Sequence, residues 1–175
     1  MKIQTADITE EPKVLAYAED VSDLNVRLGR GVRDYRLGHP LGVDAVHYRA
    51  GQDLFFRGRL RGEVFGTCAR CCEEYAFPID TPFAFVLTPR TPITAEEVEL
   101  TADDLSLSFY EGKEVDLTPL VHEQVILTLP TRPLCDEGCQ GLCSQCGANL
   151  NAGPCGCAAD TAPRLAIVHD LVRAK

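Results

Sequence analysis

Residues 54–65 read LFFRGRLRGEVF, and their character alternates from one position to the next. Successive side chains of a strand point to opposite faces of a sheet, so this alternation predicts a β-strand with two different sides. The apolar side would carry Leu54, Phe56, Leu60 and Val64. The other side would carry Phe55, Arg57, Arg59, Arg61, Glu63 and Phe65. We therefore expect one buried face and one arginine face.

The same period of two extends outward from this stretch, from Arg33 to Leu87, and is broken by glycine and proline. Aromatic and branched residues in this pattern are typical of antiparallel strands. Because glycine is a poor strand residue, Gly58, Gly62 and Gly66 predict bulges or sharp twisting. A small barrel or a strongly coiled sheet would meet that requirement.

Further along the chain the pattern changes. Residues 88–104 combine prolines, hydroxyl groups and acidic residues, which favours a surface excursion. Thr118 and Pro119 predict a helix start, with the hydroxyl as the cap and proline at the first helical position, and Pro130 ends that helix. A last helix is predicted from 163 to 172.

These segments predict an α+β protein with an antiparallel strand-rich N-terminal domain. We divide the chain into a β domain (1–88), a loop with a connecting strand (89–116), and a helix, a cysteine-rich zinc-binding module and a C-terminal helix (117–175). A length of 175 residues with 45% hydrophobic residues is enough to bury a core.

Nothing at the N-terminus resembles an export signal, and no stretch approaches the ~20 apolar residues of a membrane-spanning helix. We therefore expect a cytoplasmic protein without a membrane partner. In a reducing compartment, clustered thiols among nine cysteines are more often metal ligands than disulfides.

Eight of these cysteines form four closely spaced pairs: Cys68 and Cys71, Cys135 and Cys139, Cys143 and Cys146, and Cys155 and Cys157. A structural zinc ion takes four thiolates in a tetrahedron, and a short spacing lets one turn present two of them. We assign the last two pairs to one site, because they are close in sequence and the loop at 147–154 is rich in turn residues. Gly147, directly after the second cysteine, can adopt a positive φ that turns backbone N–H groups toward the sulfurs. The first two pairs would form a second site that joins the strand region to the C-terminal module.

Two alternatives to this assignment remain open. Cys135, Cys139, Cys143 and Cys146 could surround a single ion, so the number of zinc ions is one or two. Cys68-Ala-Arg-Cys71 could also be a redox dithiol, although it lies between predicted strands and not at a helix N-terminus. Cys72 is left over, and we interpret it as a small, partly buried apolar residue.

Charge is unevenly distributed along the chain. The net charge is −9, yet residues 27–70 contain nine arginines and four acidic residues. A net negative protein does not coat nucleic acid, but a local basic patch can contact phosphate. The predicted RNA-binding set is Arg57, Arg59, Arg61 and Arg70, with Phe55 and Phe65 available for stacking. The alternative is that acidic residues of the same protein neutralise these arginines.

Four motifs in order resemble the bacterial YceD-like family over residues 55–172. They are the Cys-x-Arg-Cys turn at Cys68–Cys71, the helix end at Glu123–Pro130, the run GLCSQCGANLN at Gly141–Asn151, and the Cys-x-Cys of Cys155 and Cys157. The resemblance implies a role in the accumulation or processing of the large-subunit ribosomal RNA, with that RNA or a precursor particle as the partner. It implies no catalytic activity.

No phosphate loop, serine elbow or paired carboxylates can be recognised, so we expect a protein that is not an enzyme. Two other functions stay open. Cys68, Cys71 and Cys72 could form a thiol redox or zinc-release sensor. An acidic run could instead carry a basic ribosomal protein without RNA contact; it consists of Glu96, Glu97, Glu99, Asp103 and Asp104.

Overall fold

The computed structural model of this chain describes residues 1–30, 35–90 and 107–157. Its elements, in chain order, are strands β1 (Lys2–Gln4) and β2 (Lys13–Glu19), helix α1 (Ser22–Leu28), strands β3 (Tyr35–Leu37), β4 (Leu41–Ala50), β5 (Asp53–Thr67), β6 (Glu74–Pro89), β7 (Leu107–Tyr110) and β8 (Glu114–Asp116), and helix α2 (Thr118–Thr128). This part of the chain is strand-rich with two α-helices, which agrees with the α+β prediction.

The strands form two sheets. β1 and β8 pair by themselves, while the larger sheet has the order β2, β4, β5, β6, β7, and β3 pairs with the end of β5. β6 and β7 run parallel, and every other described pair is antiparallel. The predicted antiparallel arrangement is confirmed from β2 to β6 and becomes mixed at β7.

β5 is the centre of the large sheet and has the two faces that its sequence predicts. Leu54, Phe56, Leu60 and Val64 are all 0% exposed. Burying a side chain of this size stabilises the fold by about 1.5–3 kcal/mol relative to leaving it in water. The arginine side of the strand faces outward.

The bulges predicted in β5 are absent. Its pairing with β4 keeps one register from Arg61 to Asp53, and its pairing with β6 does so from Leu54 to Thr67. Gly58 has a different purpose: a Cβ there would lie 2.1 Å from the carbonyl oxygen of Asp44. The glycine allows β4 and β5 to approach closely, and the ladder passes through it unbroken.

Helix α2 covers the apolar side of the sheet. Its residues Val121 and Val125 belong to the same buried cluster as Leu54 and Phe56. The start of the helix differs in detail from the prediction, because the Thr118 hydroxyl does not cap it. That hydroxyl donates to Glu19 Oε1 at 2.8 Å, and Asp116 Oδ1 accepts the Thr118 N–H at 3.0 Å instead.

Two predicted segments fall outside the described residues. Residues 91–106 contain most of the predicted surface excursion and all five acidic residues of the proposed carrier site. The helix predicted from 163 to 172 also lies there. Both stay predictions.

Candidate metal centre

The turn between β5 and β6 presents two thiols together. The N–H of Cys72 donates to the carbonyl of Cys68 at 2.9 Å and closes the turn. The N–H of Arg70 points at Cys68 Sγ from 3.4 Å. Cys68 and Cys71 are 1% and 3% exposed, so this turn buries both thiol groups.

The chain that follows α2 brings two more thiols to this turn. The carbonyl of Pro133 accepts the N–H of Ala69 at 2.8 Å. The Arg70 guanidinium donates to the carbonyl oxygens of Glu137 and Cys139, each at 2.8 Å. Hydrogen bonds among protein groups therefore already hold the two segments against each other.

The four thiols that meet here are Cys68, Cys71, Cys135 and Cys139, which we call the hairpin cluster; their sulfurs lie within 4.8 Å of one another. The Cys68 and Cys139 sulfurs are 3.8 Å apart, and those of Cys71 and Cys135 are 3.7 Å apart. A tetrahedron with Zn–S bonds of about 2.3 Å has edges of about 3.8 Å. A disulfide would need about 2.05 Å. The spacing therefore suits one tetrahedral ion.

A second group of four thiols lies within 4.8 Å of one another and is here called the loop cluster: Cys143, Cys146, Cys155 and Cys157. Gly147 has the predicted positive φ, at 72°, and its N–H donates to the carbonyl of Cys143 at 3.0 Å. The N–H of Gln145 points at Cys143 Sγ from 3.4 Å. This cluster is more exposed than the hairpin cluster.

Hydrogen bonds and burial give some thiols of each cluster different pKa values. Burial raises the pKa of Cys68, but N–H groups directed at its sulfur outweigh burial and bring the pKa to about 6. Backbone N–H groups of Cys146 and Gln145 likewise lower the pKa of Cys143 to about 6. Because the thiolate is the form that binds metal, each turn prepares one ligand near neutral pH.

Two other thiols, one in each cluster, hold their protons more tightly. Burial raises the pKa of Cys135 to about 12. A hydrogen bond with Cys146 raises the pKa of Cys157 to about 12. Such thiols ionise when a metal ion replaces the proton, so metal binding at either cluster would release protons.

The structure brings all eight predicted ligands together in the two groups that their pairing predicts. The alternative that joins Cys135, Cys139, Cys143 and Cys146 is not the arrangement found, because these residues divide between the clusters. Cys72 was interpreted wrongly. It is exposed, with a φ of 60°, because it follows the second cysteine of a tight turn.

One residue that the sequence did not single out touches a ligand. Asn151 Nδ2 donates to Cys139 Sγ at 3.2 Å, and this hydrogen bond is the main reason that the pKa of Cys139 is lowered. Asn151 is the last residue of the GLCSQCGANLN motif, and its place in that motif is the sequence feature that could have identified it. It lies in the sequence of the loop cluster but contacts the hairpin cluster.

The predicted RNA-binding arginines have different surroundings. Arg57, Arg59 and Arg61 lie exposed on one face of β5. Arg59 is ion-paired with Asp80 at 2.8 Å, and Arg61 with Asp44 at 2.7 Å. Among the residues that the structure describes, Arg57 has no ion pair. The alternative in which acidic residues neutralise the face is therefore true of two of the three.

Aromatic side chains accompany this face, and both predicted stacking residues contact neighbouring side chains. Phe55 stacks on Tyr48 of the neighbouring strand, with ring centres 5.1 Å apart. Phe65 lies under the guanidinium of Arg36, 4.3 Å from its ring centre. Arg70 differs from the other three predicted arginines, because its guanidinium donates to the carbonyl oxygens of Glu137 and Cys139 beside the hairpin cluster.

The described residues contain two four-thiol clusters, one of which joins the central hairpin to the segment after α2. They define a small cysteine-rich protein with two candidate metal sites in that part of the chain. A family model identifies it further. Residues 56–172 match the family described as large ribosomal RNA subunit accumulation protein YceD, and the chain belongs to that family. The resemblance inferred from the order of its motifs is confirmed.

Three relatives illustrate the match. Over 163 residues the chain is 27% identical to large ribosomal RNA subunit accumulation protein YCED homolog 1, chloroplastic, of Arabidopsis thaliana, covering 78% of this chain and 49% of that one. It is 28% identical over 125 residues to homolog 2 of the same plant, covering 69% and 55%. An uncharacterized protein of Mycobacterium tuberculosis (strain ATCC 25618 / H37Rv) is 23% identical over 154 residues, covering 88% and 72%.

The chain thus spans about half the length of the two plant relatives. No solved structure matches it. Of the helices that the structure describes, none is both long enough and apolar enough to cross a bilayer.

Proposed function

We propose that this protein is a non-catalytic, zinc-binding factor that supports accumulation of the large-subunit ribosomal RNA and assembly of the ribosome. The observation that carries the proposal is a four-thiol cluster of tetrahedral spacing in a chain of the YceD family. The process comes from the family description, and the chemistry comes from the cysteines.

Zinc is the ion that suits these ligands. Four thiolates with sulfurs about 3.7–3.8 Å apart match a tetrahedral ion that prefers soft ligands, whereas calcium and magnesium prefer oxygen. Four protein ligands fill a tetrahedral coordination shell, so no position remains for a reactive water. This supports a structural role for zinc and a protein without catalytic activity.

At the hairpin cluster, zinc would connect segments that are distant in the chain. Cys71 and Cys135 are 64 positions apart, and Cys68 and Cys139 are 71 apart. Bound zinc holds both segments at once, and its binding energy then adds to the free energy of unfolding. The central hairpin and the C-terminal segment become one rigid surface.

The RNA contact we propose is centred on Arg57. Its charge is not neutralised by an ion pair in the described part of the chain, and it shares its face with Phe55 and Tyr48. An arginine beside half-buried aromatic rings suits single-stranded RNA, because the cation contacts phosphate while the accessible edges and faces of the rings stack on bases. Arg59 and Arg61 would contribute less, since Asp80 and Asp44 already occupy their guanidinium groups.

We also propose that the protein acts in the cytoplasm. None of its nine cysteines forms a disulfide, which suits a reducing compartment. A precursor of the large ribosomal subunit would be its partner there.

The first experiment measures the metal. Protein purified under reducing conditions without chelator should contain two zinc ions per chain by elemental analysis and native mass spectrometry. A reduced, folded protein without metal would overturn the zinc part of the proposal. Two thiols that cycle freely between oxidised and reduced forms in the zinc-loaded protein would favour the redox sensor instead.

The second experiment tests the RNA. The protein should co-sediment with large-subunit precursors from growing cells and should bind large-subunit RNA with an affinity that falls as salt rises. Absence from those fractions would overturn the assembly role. Co-sedimentation without any RNA binding at low salt would favour a carrier of a basic ribosomal protein.

A further inference from the structure

A short hairpin of backbone connects the two clusters. The N–H of Leu150 donates to the carbonyl of Gly141 at 2.9 Å, and the N–H of Cys143 donates to that of Ala148 at 2.8 Å. The outgoing arm begins directly after Cys139, a member of the hairpin cluster. The returning arm runs back toward the same place and ends at Asn151.

Both polar atoms of the Asn151 side chain are hydrogen-bonded. Its Nδ2 donates to Cys139 Sγ at 3.2 Å, and its Oδ1 accepts the N–H of Gln140 at 2.8 Å. Its backbone N–H donates to Asn149 Oδ1 at 3.0 Å. The two side-chain bonds leave the carboxamide little freedom to rotate, so its N–H stays directed at the sulfur, while the backbone bond holds the residue in the returning arm.

Asn151 therefore belongs to one cluster by sequence and to the other by contact. It lies between Cys146 and Cys155, inside the length of chain that an ion in the loop cluster would close. An ion there fixes the returning arm, the arm fixes Asn151, and Asn151 orients Cys139. The orientation of Cys139 in the hairpin cluster would then depend on whether the loop cluster holds an ion.

We propose that Asn151 is a positioning residue through which metal in the loop cluster strengthens metal binding at the hairpin cluster. The inference rests on the proposed function, because it requires that both clusters bind zinc. Hydrogen bonds to a metal ligand fix its orientation, and their loss commonly lowers metal affinity about 10- to 100-fold. By reciprocity, an ion in the hairpin cluster strengthens the loop cluster by the same factor.

The two clusters differ in exposure, and this difference sets the order in which they would lose metal. Cys68, Cys71 and Cys139 are buried, whereas no member of the loop cluster is. Cys135 is the one exposed thiol of the hairpin cluster, whereas all four thiols of the loop cluster are at least partly accessible, so we expect a chelator to strip the loop cluster first. Loss of that ion frees Asn151 and makes the hairpin cluster the next to lose its metal.

The test compares zinc release from the hairpin cluster in two backgrounds. The loop cluster is disabled by Cys155→Ser with Cys157→Ser, in the otherwise unchanged chain and in a chain carrying Asn151→Ala. Release is followed with a chromogenic chelator, and alkylation of the Cys139 peptide is followed by mass spectrometry. Ser144→Ala, an exposed change within the loop-cluster turn, is the matched control.

Disabling the loop cluster should speed release about 10- to 100-fold in the unchanged chain and much less in the Asn151→Ala chain. An equal factor in both backgrounds overturns the inference and leaves the proposed function standing. Absence of zinc from the unchanged protein overturns the proposed function itself. Asn151→Asp should release zinc faster than Asn151→Ala, because its carboxylate cannot donate to the thiolate and repels it.

A second measurement needs no change at the loop cluster. At half the zinc required for full loading, native mass spectrometry of the unchanged protein should show chains with two ions and chains with none in excess of a random distribution. Asn151→Ala should shift the distribution toward one ion per chain. A random distribution in the unchanged protein would contradict the coupling.

Discussion

Cys72 and Gly147 occupy the same position in two copies of one turn. Each follows the second cysteine of a Cys-x2-Cys pair, and their φ values are 60° and 72°. Each donates its N–H to the carbonyl of the first cysteine, at 2.9 and 3.0 Å. The position requires a left-handed backbone, which costs a residue with a Cβ about 1–2 kcal/mol and glycine nothing.

Replacing Cys72 by glycine should therefore stabilise the protein. Relief of the left-handed conformation outweighs the larger backbone entropy of glycine in the unfolded chain, for a net gain of about 0.5–1 kcal/mol in the free energy of unfolding. The measurement is denaturant unfolding of the zinc-loaded protein. Cys72→Ala keeps the strain and should change little, while Gly147→Ala makes the reverse exchange and should lose about 0.5–1 kcal/mol. Loss of an ion from Cys72→Gly would show that Cys72 is a ligand.

Metal removal should loosen one end of the molecule and leave the other intact. Without zinc, the β5–β6 turn and the segment around Cys135 and Cys139 are held by hydrogen bonds such as those of Arg70 and by the packing of Tyr75 and Leu134 against the buried thiols. The core around Leu54 and Phe56 does not depend on the clusters. Hydrogen exchange with and without chelator should show lost amide protection near the hairpin cluster and unchanged protection where β4 pairs with β5. Uniform loss across the sheet would contradict this.

Arg57 should matter more to RNA than its neighbours on β5. Arg57→Ala removes a cation that has no ion pair in the described residues, so RNA affinity should fall and the salt slope should decrease by about 1. Arg59→Ala is the matched control, since Arg59 is bound to Asp80. Binding at several salt concentrations distinguishes the two variants. Equal losses would show that the ion pairs open on binding.

His47 should make the fold sensitive to mild acid. Its side chain is 7% exposed and stacks on Phe56, and burial together with the charge of Lys13 lowers its pKa. A histidine whose pKa is lower in the folded state favours folding above its unfolded pKa of about 6.5. That contribution disappears as the pH falls below 6.5 toward the folded value.

His47→Leu should therefore lose less stability than the unchanged protein between pH 7.5 and pH 5.5. The measured quantity is the difference between the two proteins in the free energy of unfolding at each pH, so that contributions shared by both cancel. His39→Gln, at an exposed position, should follow the unchanged protein. Parallel curves for the unchanged protein and His47→Leu would contradict the prediction.

The features that follow from local patterns could be predicted from the sequence. The two faces of β5 come from a period of two, and the pairing of cysteines comes from spacing that one turn can close. Contacts across strands could not be predicted in this way. The partners of Arg59 and Arg61 lie on β6 and β4, so their neutralisation depends on register, which the sequence of β5 does not contain.

The same limit explains the residues that were misjudged. Gly58 suggested a bulge because a strand glycine often marks one, but only the pairing with Asp44 and Ala45 reveals that space is the reason. Cys72 suggested a small, partly buried apolar residue because it was left over from the four pairs, whereas its exposure follows from the turn. Asn151 acts on a sulfur 12 positions earlier, a relationship visible only after the returning arm is folded.

The distance along the chain between the members of the hairpin cluster also sets an order of events during synthesis. Cys68 and Cys71 leave the ribosome long before Cys135 and Cys139, which follow 64–71 positions later. No ion can be fully coordinated there until the sheet has formed and the last two ligands have emerged. Under the proposed function, capture of zinc at this place would report that translation has passed residue 139 and that the hairpin is already in position to receive it.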